Sequence, residues 1–135
     1  YLYNIEQNQD MRMNSYISDG ADTQVRPPSF LNLYYMITPH SRSDIKYRSY
    51  ENHIILGKII QVLNDCGVFY DSFGNRLHVD MINLSYSEKR NILSNFETKN
   101  SNLSLFYKIS PAEIESENRR HIVRVSEFDF SSEFK

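Results

Sequence analysis

Tryptophan is absent from the 135 residues, cysteine occurs once, and glycine and proline occur four times each. With Cys66 alone, no intrachain disulfide can form. Its place on the apolar side of a predicted helix makes it read as a small core hydrophobe rather than a reactive thiol. The glycines, at 20, 57, 67 and 74, are too scattered for a phosphate-cradling loop. No apolar run approaches the ~18–20 residues that span a bilayer. The opening Tyr1-Leu2-Tyr3-Asn4-Ile5 has no basic segment leading into an apolar one, so it does not read as a signal peptide. Neither sign of charge dominates: 15 Lys and Arg face 17 Asp and Glu, giving a net charge of −2. Without a basic excess, a nucleic-acid partner is not expected, and no membrane association is expected either.

What is present fits one globular domain spanning 1–135, with 40% hydrophobic and 24% charged residues. Tyr1, Tyr3 and Ile5 alternate with more polar neighbours, the period of a half-buried strand. The pattern vanishes over 7–28, a polar stretch holding Asp19, Gly20, Asp22 and Pro27-Pro28, which reads as a long mobile loop. Segment 30–38 is the strongest strand, with Leu31, Leu33, Tyr35 and Ile37 on one face. Tyr34 and Met36 fall on the other face, where another helix or a second subunit would have to cover them.

A helix is predicted over 47–66, with Ile55, Ile59, Val62, Leu63 and Cys66 as its apolar stripe, widened by Leu56 and Ile60. Gly67 suits its end. Gly57 costs about 1 kcal/mol relative to alanine inside a helix, which points to close packing there. A strand over 76–83 follows, with Leu77, Val79 and Met81 on one face. Ser85-Tyr86-Ser87-Glu88 matches a capping box opening a second helix, whose apolar side would be Tyr86, Ile92, Leu93 and Phe96. Leu103 to Ser110 alternates as a strand that Pro111 should stop, and 121–130 reads as a late or edge strand. The predicted class is therefore α+β: a single mixed or antiparallel sheet of about five strands packed by two main helices, in the order β-β-α-β-α-β-β.

The residues that could carry chemistry do not assemble into a constellation. His40, His53, His78 and His121 lack the spacing of a metal site, and His78 with Asp80 on one strand face supplies only two ligands. No nucleophile elbow is present. Glu113, Glu115 and Glu117 sit in a polar stretch that solvation explains. No enzyme activity, metal or cofactor is expected. Arg119, Arg120 and Arg124, with Lys108 as a possible neighbour, make the one compact basic patch. Arginine is enriched at protein interfaces, and a solvated edge balanced by the nearby glutamates is an equal alternative. Ten tyrosines and eight phenylalanines, among them Phe128 and Phe130 near the end, favour a binding or assembly surface.

Several motifs together resemble one family. Arg26-Pro27-Pro28-Ser29-Phe30-Leu31-Asn32-Leu33-Tyr34-Tyr35-Met36-Ile37-Thr38-Pro39 is similar to its Pro-Pro segment and alternating strand. The helix through Glu51-Asn52-His53-Ile54-Ile55-Leu56-Gly57, the start at Leu84-Ser85-Tyr86-Ser87-Glu88 and the strand from Leu103 follow in the same order. The family is the cap, or tail terminator, of extracellular contractile injection systems, and the resemblance runs from Tyr1 to about Pro111. It implies a structural subunit, without cofactor, of a homohexameric ring closing the distal end of a phage-tail-like tube and sheath. It also implies assembly in the bacterial cytoplasm into a particle destined for release. Members carry an N-terminal helix and strand ahead of the segment that begins here, so such elements are expected to precede it. Arg26, Tyr34, Met36, Arg119, Arg120, Arg124, Phe128 and Phe130 are the candidate interface residues, and segment 7–28 is the loop expected to order on contact. The alternative is a small ligand-binding or regulatory α+β domain without catalysis, which would need a pocket with converging polar groups.

Overall fold

The computed structural model describes residues 1–42, 44–72, 74–96 and 103–122, leaving aside the side chain of Ile45. It contains two helices, a five-stranded sheet and a smaller three-stranded one, an α+β arrangement. The strands are β1 (Leu2–Gln7), β2 (Ile17–Ser18), β3 (Thr23–Val25), β4 (Ser29–Ile37), β5 (Phe69–Tyr70), β6 (Arg76–Met81), β7 (Leu105–Ile114) and β8 (Arg119–His121). The helices are α1 (Ile45–Cys66) and α2 (Tyr86–Asn95). The main sheet runs β1-β4-β7-β6-β5 with every pair antiparallel.

Cross-strand register decides what each face carries, because directly opposed residues point the same way. Leu2, Tyr35, Tyr107 and Met81 form one row, and Ile5, Leu33, Ile109 and Val79 form the next. This face receives α1, whose Leu63 meets Tyr35, Ile37, Tyr107, Ile109 and Val79 around a shared cavity. On the opposite face Met36 is paired with Phe106, and Tyr3 meets the Phe106 ring edge-on at 5.8 Å. Helix α2 lies on that side: Phe96, its C-terminal cap, packs against Tyr1 with ring centres 5.2 Å apart and planes tilted by 44°.

A register shift in β1 between Leu2 and Asn4 breaks the simple alternation. It places Leu2 and Ile5 together on the α1 face and turns Tyr3 to the other, so Tyr1, Tyr3 and Ile5 do not share a face as their spacing predicts. The predicted stop at Pro111 is also overturned. Strand β7 continues through a cis Ser110-Pro111 peptide to Ile114. The ladder with β4 shifts there, with Leu31 opposite Ala112 and Leu33 opposite Ile109. Ser110 and Pro111 together oppose Asn32, and a bulge is where a strand accommodates a residue without an N–H.

Helix α1 is anchored at its start, where the buried Asn52 accepts a 3.1 Å bond from the Ser41 N–H. The Ser41 hydroxyl donates to Glu51. The helix ends at Gly67, whose φ of 55° suits a residue without a Cβ. Its phase differs from the sequence expectation. Leu56 is buried and Asn52, Ile59 and Leu63 share its side, whereas Ile55, Val62 and Cys66 are exposed. Among the described residues, none has an atom within 4 Å of the place a Cβ on Gly57 would take, so the close packing expected there is not found among them.

Helix α2 opens with the predicted capping box. The Ser85 N–H donates to Glu88 at 2.8 Å, and the Glu88 N–H donates back to the Ser85 hydroxyl at 3.4 Å. The Ser85 hydroxyl, and after it the Ser85 N–H, holds the Glu88 carboxyl below its usual pKa. Ile92, Leu93 and Phe96 are half-buried as expected, but Tyr86 is 82% exposed and lies off the apolar side.

Segment 7–28 is not one open loop. Ile17–Ser18 pairs with Thr23–Val25 as a hairpin turning through Gly20, where φ is 102°. β8 adds to β3, with Thr23 opposite His121 and Val25 opposite Arg119. The polar composition hid the hairpin because its strands are only two and three residues long.

Candidate interface surfaces

The arginine patch is split between two roles on the small sheet. Arg120 donates from Nε and Nη2 to the Gln24 side-chain oxygen at 3.0 and 2.6 Å. Its guanidinium also lies 3.8 Å from the centre of the Tyr16 ring. Arg119 reaches Asp19 at 3.6 Å, an exposed ion pair of the kind worth about 0–1 kcal/mol. Arg26 is exposed and donates its backbone N–H to Asn118 at 3.0 Å, tying the end of the hairpin to the approach to β8. Lys108 is not part of this group; it sits in mid-sheet between Tyr34 and Asp80. Arg124, Phe128 and Phe130 lie outside the described residues.

Met36 cannot be an interface residue in this conformation. It is 0% exposed, covered on the Phe106 side of the sheet. The sequence showed that it needed cover; the cover comes from within the chain. Tyr34 is half-buried, its hydroxyl donating to Glu6 at 2.8 Å. That bond, with some burial, raises the Tyr34 pKa. Neighbouring Tyr3 is raised first by burial and then by the charges of Glu6 and Glu88.

Two further surfaces hold none of the candidate interface residues. The outward side of α1 presents Tyr47, Tyr50 and Ile54, with Ile55 and Val62 beside them, all exposed. At 100° per residue, Tyr47, Tyr50 and Ile54 fall within one sector of the helix, opposite Leu56 and Leu63. The second surface is the β1 end of the α1-facing sheet, where Leu2 and Ile5 are exposed beyond the reach of α1. The signal for the first was available: the run from Ile54 to Leu63 is apolar almost all round the helix, more than one buried face requires.

Between α1 and the sheet lies a cavity of about 380 Å³, lined by Tyr35, Ile37, Leu63, Phe69, Val79 and Tyr107 among others. Its walls are almost wholly apolar. Tyr107 is buried, its hydroxyl has no hydrogen-bond partner among the described residues, and burial raises its pKa. Among the described residues, no three His, Cys, Asp or Glu gather where they could hold a metal ion. Both His78 and Asp80 are exposed on β6. No helix among the described residues is long and apolar enough to cross a membrane.

The geometry thus defines a small α+β domain with more apolar surface than its own elements cover. Residues 1–127 match the model of the Pvc16 N-terminal domain, and the chain belongs to that family, one associated with phage-tail-like contractile injection systems. No curated protein matches the chain.

Proposed function

We propose that the chain is a structural, non-catalytic subunit of the cap that ends the inner tube and sheath of a contractile injection particle. The observation that carries this reading is how an injection-system domain distributes its apolar side chains. Among the described residues, four hydrophobic side chains are buried, Met36, Leu56, Phe106 and Tyr107, while sixteen large ones are exposed. Catalysis needs converging acids, bases or nucleophiles, whereas ending a polymer needs broad surfaces that meet neighbours. The family resemblance adds a homohexameric ring with tube and sheath proteins as partners, assembled in the bacterial cytoplasm, and no cofactor.

Deleting the gene from a particle-producing strain tests this. Tubes of uncontrolled length, restored to uniform length by the intact chain, are the expected outcome. An unchanged length distribution contradicts a terminator. A ligand-binding domain has the 380 Å³ cavity in its favour. Its lining offers a single buried hydroxyl rather than converging polar groups, and so supports that reading less well.

A further inference from the structure

Ending a tube gives no task to the cavity of about 380 Å³ between α1 and the sheet. Its walls come from α1, β4, β5, β6 and β7, and none of its lining residues lies on the edge strand β1 or carries a charge. The cavity is thus internal to the helix–sheet layer. Its size falls within the roughly 300–1,000 Å³ of pockets that hold small molecules. Apolar cavities of about 150 Å³ already take up benzene.

The lining sets the chemistry of an occupant. Tyr35, Phe69 and Tyr107 supply aromatic walls, and Leu63, Val79 and Ile109 supply aliphatic ones. Aromatic side chains favour a further ring against their faces and edges. A charged molecule would shed its hydration here with no counter-charge to meet it. Tyr107 adds one polar requirement. It is 2% exposed, and its hydroxyl has no hydrogen-bond partner among the described residues. Burial raises its pKa, so at neutral pH the hydroxyl keeps its proton and can donate as well as accept. A buried hydroxyl is disfavoured until a hydrogen bond satisfies it. We propose that the cavity binds an uncharged aromatic molecule of one or two rings, whose single hydroxyl or amine bonds to the Tyr107 hydroxyl.

One polar atom is too little to align a substrate for reaction, so the bound molecule acts on structure. Touching Leu63 on one side and β4 to β7 on the other, it joins α1 to the sheet. Binding to the folded chain alone raises stability by mass action. The site does not depend on the cap reading: tube length after gene deletion tests the cap, and ligand binding by the purified chain tests the cavity.

The probe is 2-naphthol, a two-ring molecule with one hydroxyl that is uncharged at neutral pH, titrated into the full chain and followed by its fluorescence. It should bind saturably at one site per chain and raise Tm. Naphthalene, which lacks the hydroxyl, should bind roughly 2- to 10-fold more weakly, the worth of one net hydrogen bond. Charged 2-naphthoate should not bind measurably. Tyr107→Phe should bind naphthalene as the wild type does and lose the preference for 2-naphthol. Because it deletes an unpartnered group, its own Tm should not fall. Val79→Phe, which fills the cavity from the sheet, should abolish binding of both molecules. Leu63→Phe fills it from the helix and gives the same readout should Val79→Phe fail to fold. No saturable binding of 2-naphthol, equal binding of all three molecules, or a preference that survives Tyr107→Phe would overturn the proposal. So would binding that persists in the filled variants, which would place the probe on the exposed side of α1.

Discussion

Leu56 and Ile54 are two residues apart on α1, of similar size and hydrophobicity, yet Leu56 is 6% exposed and Ile54 is 43% exposed. The sheet repeats the contrast: Met36 in the interior strand β4 is 0% exposed, and Ile5 on the edge strand β1 is 53% exposed. Residue type does not separate the members of either pair; position relative to a covering layer does. In the centre, β4 and β7 have helices on both faces, so apolar side chains there hold the fold together. At the β1 end and on the outside of α1 the same chemistry is left exposed by the described residues. The centre is therefore a folding core, and the periphery is surface available for recognition.

The contrast breaks most sharply if central substitutions prove mild. Phe106→Ala, which removes the ring packed by Tyr3 opposite Met36, should destabilise by about 3–5 kcal/mol in denaturant unfolding. Met36→Ala should cost about 2–5 kcal/mol by the same measurement. Ser85→Ala, which strips the hydroxyl from the capping box of α2, should cost about 1 kcal/mol. Peripheral changes should be smallest. Ile54→Ser and Ile5→Ser are expected to shift the stability of the monomer by about 0.5 kcal/mol or less, and losses as large as those in the core would erase the distinction.

The acid side of the pH profile sharpens the account of α2. Glu88 has a lowered pKa in the folded chain, so on acidification the unfolded chain takes up this proton first. Its stabilisation is complete above the ordinary carboxylate pKa and is lost as pH falls through the lowered value. Unfolding followed by circular dichroism from neutral pH into that range should lose part of its acid sensitivity in Ser85→Ala. An identical slope in the variant would show that the cap does not set the Glu88 titration.

Much of the sheet was legible because strands β4, β6 and β7 carry a clear period of two. The α2 start was legible because a capping box depends on four neighbouring residues and little else. The phase of α1 was not. With Ile54, Ile55, Leu56, Ile59, Ile60, Val62 and Leu63 distributed round the axis, no single stripe dominates, and contact with Tyr107 and Ile109 selects the inner side. Pro111 read as a strand end because the bulge that accommodates it depends on the partner strand β4. The hairpin within 7–28 was hidden for a similar reason: its pairing with β8 spans nearly a hundred residues of sequence. The arginine patch was legible as a group, but its division between Gln24, Tyr16 and Asp19 was not.

The most direct test of the central claim is to image the distal end of a native contractile particle and fit this domain into the density. The account predicts copies of the domain in a closed ring on the last layer of tube and sheath. Density for the domain at the opposite end, or none on the particle, would contradict it.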